Sequence, residues 1–354
     1  MNLSFAQLFY LLFSSFFLTT FLTPLARNLA VKIGMVDKPN QSHKTHAKPV
    51  PYLGGVAIAI STTAVVYAAS LLAEFPSSTF LLASTILVPA LMMFIVGLID
   101  DYKQLSPWPR FLAQNLIGFI VAVILISTNT LGAPTGYLIF DLLVTLLWIV
   151  GLTNSINFFD NIDGGASGTV AISAVTLTLL GFINGQYLVA AMAAVLAGST
   201  LGFLAWNKPP ARIYMGDAGS LFLGTLIAAL SIRLDSPSDH QFDGLLIIFF
   251  LLAMPVLDTT IVFFHRIKIG KSPFEGGRDH LSHRLITLGI NRRFAVMILW
   301  SMSLVFCLFS LVLFLNIQFW SQLFKALGLL AFLLLFAFFW RIKVQPIRII
   351  SNDL

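Results

Sequence analysis

The chain has 354 residues, of which 58% are hydrophobic and only 10% are charged, with a formal net charge of +6. Soluble domains carry about 25% charged residues, so this composition excludes a water-soluble globule of this size. Cys307 is the single cysteine, which excludes an intrachain disulfide and a cysteine-based zinc site. The basic residues form no stripe with interleaved aromatics, so we predict no nucleic-acid partner. The composition indicates a protein embedded in a lipid bilayer.

Apolar runs divide the whole chain. A membrane helix needs about 20 mostly apolar residues, and eleven runs approach this length, near 4–24, 53–73, 79–99, 110–128, 138–156, 165–183, 187–206, 219–233, 243–263, 294–316 and 320–340. The first run lacks the basic flank and cleavage site of a signal peptide, so we predict a retained helix. The fold class predicted is an all-α polytopic membrane protein with about eleven transmembrane helices in one domain, residues 1–354.

Basic residues set the predicted orientation. All Lys and Arg residues except Arg233 and Lys325 fall in the loops of one side. Because basic loops stay in the cytoplasm, the N-terminus is predicted outside and the C-terminus inside. Acidic and histidine residues share these inner loops or the helix ends beside them: Asp37, His43, His46, Asp100, Asp101, Asp160, Asp163, Asp217, Glu275, Asp279, His280 and His283. The chemistry is therefore predicted on the cytoplasmic face.

Two acids end the third run, in the segment Gly97-Leu98-Ile99-Asp100-Asp101-Tyr102. Adjacent carboxylates at a membrane surface repel each other and are costly to desolvate, and a divalent cation or a lysine relieves both costs. Neighbouring helical residues point about 100° apart, so we expect Asp100 and Asp101 to have different partners. The alternative is a solvated helix end.

Polar residues recur every third position in the next inner loop, at Asn154, Asn157, Asp160 and Asp163. On a helix this spacing makes one polar stripe, which suits a nucleotide, a sugar or a metal. The alternative is a capped helix end followed by a turn at Gly164-Gly165, which explains the glycines but not the stripe.

Asp217 stands among glycine and serine in the segment Met215-Gly216-Asp217-Ala218-Gly219-Ser220. It could cap the helix that follows. The same geometry also offers free backbone N–H groups to a phosphate.

Basic and histidine side chains crowd two further inner loops. The last contains Arg278-Asp279-His280-Leu281-Ser282-His283-Arg284, and the first contains His43, Lys44, His46 and Lys48. Such donors could bind a pyrophosphate, or they could be bystanders of positive-inside sorting. No Walker-type glycine loop is present, so ATP hydrolysis is not supported. Carboxylates with basic residues suit Mg²⁺-dependent phosphoryl chemistry.

Taken together, the motifs resemble those of the polyprenyl-phosphate N-acetylhexosamine-1-phosphate transferases, glycosyltransferase family 4. Five segments carry the resemblance in order: Asp37 to Asn40 with Pro51 and Gly54-Gly55, Gly97 to Asp101, Asn154 to Gly168, Met215 to Ser220, and Asp279 to His283. The resemblance implies that a UDP-N-acetylhexosamine and a polyprenyl phosphate, usually undecaprenyl phosphate in bacteria, give a polyprenyl-diphosphate sugar and UMP. It implies the first membrane step of cell-envelope polysaccharide synthesis, such as lipopolysaccharide or teichoic acid. It also implies a multi-pass protein of the cytoplasmic (inner) membrane that uses Mg²⁺ or Mn²⁺, and it leaves a homodimer open.

The resemblance also assigns residues. Asp217 matches the Mg²⁺ ligand. Asp100 matches the catalytic carboxylate, which is expected to act as the base that deprotonates the lipid phosphate, and Asp101 supports it. His280 matches the first position of the family's histidine motif and is predicted to be catalytic. The predicted substrate-binding residues are Lys48, Asn157, Asp160, Asp163, Arg278 and His283.

The chain departs from the family pattern at two positions. Ser282 stands where the histidine motif often has His, which leaves His280 and His283 as the pair to test, and Asn161 stands where the family often has Gly. The three adjacent histidines of the branch that uses UDP-MurNAc-pentapeptide are missing, which favours the branch using UDP-GlcNAc or a related amino sugar.

Two other functions remain open at this point. A secondary transporter would explain Asp258, an acid within the ninth apolar run, although transporter sites lie near the midplane between repeated halves. A CDP-alcohol phosphotransferase would explain the segment from Asp160 to Gly164, although the remainder of that signature is missing.

Overall fold

A computed structural model describes residues 3–37, 49–72, 77–132, 134–237, 241–273, 276–316 and 318–344. These ranges hold thirteen helices: α1 (Phe5–Ile33), α2 (Gly54–Leu72), α3 (Ser77–Lys103), α4 (Pro107–Ser127), α5 (Leu138–Phe159), α6 (Gly165–Ile183), α7 (Tyr187–Asn207), α8 (Gly216–Ser231), α9 (Gln241–Leu251), α10 (Ala253–Lys268), α11 (Leu281–Thr287), α12 (Arg292–Phe314) and α13 (Gln318–Arg341). A hairpin of β1 (Val36–Asp37) and β2 (Val50–Pro51) accompanies them, with Val36 opposite Pro51.

The helices confirm an all-α polytopic membrane protein. Within the described ranges nine helices, α1 to α7, α12 and α13, are long and apolar enough to cross a bilayer. The run near 243–263 is not one straight helix, because α9 and α10 meet at an angle of 82°, and together they would make a tenth span. The run near 219–233 forms α8, whose 16 residues extend about 24 Å, less than the roughly 30 Å of a hydrocarbon core.

The bend between α9 and α10 frees backbone groups that water cannot reach. Ser173 Oγ of α6 donates to the carbonyl of Leu251 at 2.7 Å. Side-chain hydroxyls of neighbouring helices are a common substitute for the missing helical bond in membrane proteins. The same solution serves Pro24 within α1, which has no N–H for the carbonyl of Thr20: Trp206 Nε1 donates to that carbonyl at 3.2 Å.

Burial separates the interior helices from those at the edge. In α8 every residue from Ala218 to Ser231 is buried, and the helix packs against α2, α3 and α5. In contrast, α1 and α13 expose rows of Phe and Leu, as expected for lipid-facing surfaces. The start of the central helix α8 therefore lies inside a ring of other helix ends.

The two basic residues that break the sorting pattern both have partners at the far ends of these helices. Lys325 of α13 pairs with Asp243 of α9. Arg233, which follows α8, donates to Thr85 Oγ1 of α3 at 2.9 Å. Both are thus accounted for by local packing.

Candidate active site

Glycines bring α2 and α3 against the first turn of α8. A Cβ at Gly97 of α3 would lie 2.3 Å from the carbonyl oxygen of Asp217, and one at Gly55 of α2 would lie 2.3 Å from the nitrogen of Gly219. No residue larger than glycine can be accommodated at such distances. The acids that end α3 are therefore held directly beside Asp217.

Asp101 holds the start of α8. Its Oδ1 accepts from the backbone N–H of Asp217 at 2.8 Å, and its Oδ2 accepts from that of Ala218 at 3.0 Å. The first N–H groups of a helix have no partner within the helix, so a carboxylate here satisfies them and complements the helix dipole. Gly216, with φ of +74°, makes the turn that presents these groups.

Asp100 points elsewhere, as predicted for adjacent acids. Its Oδ1 accepts from Leu105 N at 2.8 Å, and its Oδ2 pairs with Arg110 of α4. The same Arg110 Nη1 lies 3.0 Å from Asp217 Oδ2. One guanidinium therefore bridges the two carboxylates that motif matching assigns to catalysis and to metal binding.

Asp217 is bound by side chains and does not cap its own helix. Asn157 Nδ2 donates to Asp217 Oδ1 at 2.7 Å and lies 2.8 Å from Ser220 Oγ. Because Asp101 supplies the cap, the interpretation of Asp217 as a simple N-cap is wrong. Three inner loops and the start of α4 converge on this carboxylate.

The predicted four-residue stripe is wrong in its geometry, because α5 ends at Phe159 and the helical spacing stops there. Asn154 donates to Gln114 of α4 at 2.8 Å, away from Asp217. Asp163, in the turn after α5, accepts from Ala211 N at 2.9 Å. Of the four residues only Asn157 contacts Asp217 directly.

Asp160, the C-cap residue of α5, lies close to several other carboxylates. Burial raises the pKa of its carboxyl well above the usual value, and the nearby carboxylates of Asp217, Asp163 and Asp101 raise it further. In the part of the chain that the structure describes, no group of three or more acidic, His or Cys side chains is arranged so that it could hold a metal ion by itself. This donor set suits Mg²⁺, which is typically held by one or two carboxylates together with substrate phosphates and water.

The histidine loop is built around a carboxylate in the membrane. Asp258 of α10 is completely buried; its Oδ2 lies 2.7 Å from His280 Nδ1, and its Oδ1 accepts from Leu281 N at 2.7 Å. Because a carboxylate can only accept, Nδ1 of His280 carries a proton, and its Nε2 lies 3.5 Å from Arg266 Nη2. Asp258 thus has a structural partner, so it no longer favours a transport path.

A second pair docks the same loop on α10. Arg266 binds the carboxylate of Asp279 with two hydrogen bonds of 2.8 Å and stacks over Phe158 at 5.7 Å. Burial alone would raise the pKa of Asp279, but the Arg266 guanidinium outweighs it and holds that pKa below its usual value. Asp258 and Arg266 therefore hold consecutive residues of the loop.

The histidine loop meets the acidic cluster at the end of α5. Ser282 Oγ donates to Asn161 Oδ1, and the rings of His280 and Phe158 are 6.1 Å apart. The pKa of His283 is lowered to about 4, mainly by burial and also by the neighbouring His280. His283 is therefore a neutral imidazole at physiological pH.

Two arginines lie near His283: Arg278, which was predicted to bind substrate, and Arg292, which was not. Arg278 and Arg292 are both close enough to lower the pKa of His283, although burial is the main cause of that shift. Arg292 also faces Tyr214, whose pKa is raised first by burial and then by Asp163 and Asp37. Lys48 lies outside the described residues, as do His43, Lys44 and His46.

Comparison with known proteins covers both clusters. Residues 83–235 match glycosyl transferase family 4. A Bacillus subtilis protein named "probable undecaprenyl-phosphate N-acetylglucosaminyl 1-phosphate transferase" is 34% identical over 324 residues, which is 89% of this chain and 87% of that protein. The chain belongs to glycosyl transferase family 4. The resemblance found in the motifs is thereby confirmed.

Other relatives differ in how much of this chain they match. A decaprenyl-phosphate N-acetylglucosaminephosphotransferase of Mycolicibacterium smegmatis is 30% identical over 80% of this chain and 76% of its own length. A phospho-N-acetylmuramoyl-pentapeptide-transferase of Streptococcus pyogenes is 35% identical, but over 52% of this chain and 59% of its own length. The matched family segment includes Asp100, Asp101, Asn157, Asp160, Asp163 and Asp217, whereas the histidine loop lies beyond it.

Three residues of this family 4 site were missed by the sequence interpretation. Arg110 opens α4 behind Pro107 and carried no motif, and Arg266 was counted only as an inner-loop cation. Asp258 was noticed but assigned no partner. A buried acid in an apolar run requires one, and the histidines of the next loop were the available candidates.

Proposed function

We propose that this protein transfers N-acetylglucosamine-1-phosphate from UDP-N-acetylglucosamine to a polyprenyl phosphate, giving a polyprenyl-diphosphate sugar and UMP. The observation that carries the proposal is the convergence of Asp100 and Asp217 on one Arg110, with Asn157 on the other oxygen of Asp217, in a member of family 4. The names of the Bacillus and Mycolicibacterium relatives support the N-acetylglucosamine donor, because both match this chain over most of its length. The pentapeptide transferase matches it over about half.

The acidic cluster is assigned to the diphosphate of the donor. Asp217 would hold Mg²⁺, with Asp160 and Asp163 as neighbouring oxygen donors, and Mn²⁺ would substitute because it prefers the same ligands. When bound, the cation neutralises negative charge on the transferring phosphoryl group. Asp101 keeps the first turn of α8, and with it Asp217, in position, which makes it a positioning residue.

Asp100 is assigned to the acceptor. An oxygen of the polyprenyl phosphate attacks the β-phosphorus of the UDP-sugar, the bond from that phosphorus to the bridging oxygen breaks, and UMP leaves with this oxygen. Asp100 accepts the last proton of the acceptor phosphate, which such monoesters lose near pH 6. Arg110 holds the Asp100 carboxylate ionised and oriented.

The second cluster is assigned to binding the charged donor. Arg278 supplies a cation and the neutral His283 supplies an imidazole hydrogen-bonding group for the donor, while His280, beside the end of α5, keeps its predicted catalytic role. Lys48 is retained as a basic substrate contact. These roles, like those of the carboxylates, rest on placement and chemistry.

The site also supports an orientation. UDP-sugars are cytoplasmic, and the acids and histidines of both clusters follow helix ends on one side of the bundle. We therefore place the N-terminus outside, the C-terminus in the cytoplasm and the protein in the inner membrane as a single domain with about eleven membrane segments. Homodimerisation stays a prediction.

The deciding experiment offers purified protein a panel of UDP-sugars with polyprenyl phosphate and measures UMP release. UDP-N-acetylglucosamine should be the best donor, and excess EDTA should stop turnover until Mg²⁺ is restored. Release of UMP from donor alone, in a burst equal to the enzyme concentration, would overturn direct displacement. Equal rates for all donors, or uptake of an intact substrate into vesicles without UMP release, would overturn the proposed function.

A further inference from the structure

A groove separate from both clusters opens between α11 and the last turns of α13. It has a volume of about 550 Å³ and is lined by Thr287, Leu288, Leu334, Ala337, Phe338, Arg341, Ile342 and Lys343. This volume lies within the range of small-molecule and headgroup sites. None of these residues belongs to the catalytic assignment above.

Charge and apolar surface are divided along this groove. Among the described residues that line it, the two charged ones, Arg341 and Lys343, are both cationic and exposed. Phe338 and Leu334 lie about one and two turns before Arg341 on α13 and are both exposed, where lipid chains would surround the helix. Trp340, in the last turn of α13 with Lys268 5.3 Å above its ring, is of the residue type common at membrane interfaces.

We propose that this groove binds one anionic phospholipid, with its phosphate between Arg341 and Lys343 and an acyl chain along Leu334 and Phe338. A paired cation site matches a phosphodiester, and basic pockets between helices on the cytoplasmic side take lipid headgroups. The apolar wall selects a lipid over a free phosphate ion. The dry, uncharged surface of a protein partner would leave both cations unpaired.

The groove is also connected to the histidine loop. Arg284 of α11 is almost completely buried; its Nη1 donates to the carbonyls of Phe339 and Ile342 at 2.9 and 2.7 Å, and its Nε donates to Asp279 O at 2.9 Å. One side chain therefore ties the end of α13 to the residue that precedes His280. A lipid bound in the groove braces this end of α13 and, through Arg284, the loop.

The test titrates phosphatidylglycerol, phosphatidylcholine or inorganic phosphate into detergent-solubilised protein and follows its melting temperature, which rises with any ligand of the folded state. Phosphatidylglycerol alone should raise it. Each interfacial cation strengthens such binding by roughly fivefold, so Arg341→Gln with Lys343→Gln should move the midpoint roughly 25-fold higher. The matched control, Lys32→Gln with Lys271→Gln, removes two exposed cations predicted on the same membrane face and should leave the midpoint unchanged.

Specific outcomes would overturn the assignment. An unchanged midpoint in the Arg341 and Lys343 variant would show that the lipid does not bind at these two cations. An equal shift of the midpoint in the control variant would show only non-specific attraction to charge. A response to inorganic phosphate equal to that for phosphatidylglycerol would show an anion site without lipid selectivity. Phe338→Ala keeps both cations and should also weaken binding. Because the readout is melting temperature, these outcomes do not depend on the proposed transferase activity.

Discussion

Replacing Asp101 with Asn distinguishes a positioning residue from a catalytic one. Both carboxylate oxygens of Asp101 accept backbone N–H groups at the start of α8, at 2.8 and 3.0 Å. Asn has a single side-chain acceptor, and its NH₂ group would face the second backbone N–H. The variant therefore loses one hydrogen bond, loses the charge that complements the helix dipole, and leaves one buried donor unpaired.

The expected magnitude follows from these losses. A hydrogen bond to a charged group contributes about 1.5–3 kcal/mol, and an unpaired buried donor costs about 1–3 kcal/mol. Because the two overlap, we expect Asp101→Asn to lower the free energy of unfolding by about 2–4 kcal/mol. A shift of about 1 Å in the first turn of α8 would also displace Asp217 and could lower kcat roughly 100-fold.

The control variant is Asp141→Ala, because both hydrogen bonds of Asp141 go to its Oδ1, an acceptor that Asn would keep. Asp141 is also buried and holds a local turn, accepting from Thr135 N at 2.7 Å and Thr135 Oγ1 at 2.6 Å. It lies at the opposite end of α5 from Asp160. Thermal unfolding and UMP release should show comparable destabilisation of both variants, with kcat lowered only in Asp101→Asn.

Two results would refute this reasoning. If Asp101→Asn keeps wild-type stability while kcat falls by roughly a thousandfold or more, then Asp101 acts on the substrate and does not merely hold α8. If the Asp101 and Asp141 variants lose stability and activity equally, the loss in activity reflects general unfolding.

Four other outcomes are expected. Asp217→Asn keeps the shape of the side chain but removes its charge, so the variant should stay folded while turnover is nearly abolished. Near-wild-type UMP release would contradict the role assigned to Asp217. Asp258→Asn should lower kcat with little change in KM for donor, since it misorients His280, and Asp258→Glu should recover part of the loss. Burial lowers the pKa of His283 to about 4, so as the pH falls this histidine binds a proton in the unfolded chain before it does so in the folded protein. The free energy of unfolding of the wild type should therefore decrease between about pH 6.5 and 4. The decrease should be smaller in His283→Gln, and identical pH profiles of the two proteins would exclude this cause. A cysteine at Ser272 should resist an impermeant reagent added outside intact cells, and labelling there would reverse the orientation.

The lengths of the apolar runs predicted most of the helices, because a run of this length is stable across the hydrocarbon core of a bilayer. Nine of the runs appear as apolar helices long enough to span within the described ranges. The run at 219–233 is equally apolar, yet α8 is buried on every side by protein. Hydropathy cannot distinguish a lipid-facing helix from one surrounded by other helices, since both exclude water.

The polar stripe shows a different limit. Polar residues three positions apart lie on one face only while the helix continues. The sequence before Gly164 contains no helix-terminating residue that would indicate that α5 ends at Phe159. Asn157 contacts Asp217 because of where α8 begins, and Asp101 reaches α8 because Gly97 allows contact. The motifs identified which residues matter, whereas their pairing depends on backbone distances between elements far apart in sequence.

The pairing of Asp258 with His280 shows why the second cluster needed the structure. The acid lies in an apolar run and the histidine 22 positions later in a polar loop, so neither local pattern refers to the other. Burying a carboxylate with no partner would cost several kcal/mol, so a partner had to exist. Arg266 and His280 were both chemically acceptable; only the fold decides between them, by placing Arg266 on Asp279 and leaving Asp258 to His280 and the N–H of Leu281. The histidine loop is consequently held by α10 at two points, and any displacement of the bent α9–α10 segment must be transmitted to the imidazole beside the end of α5.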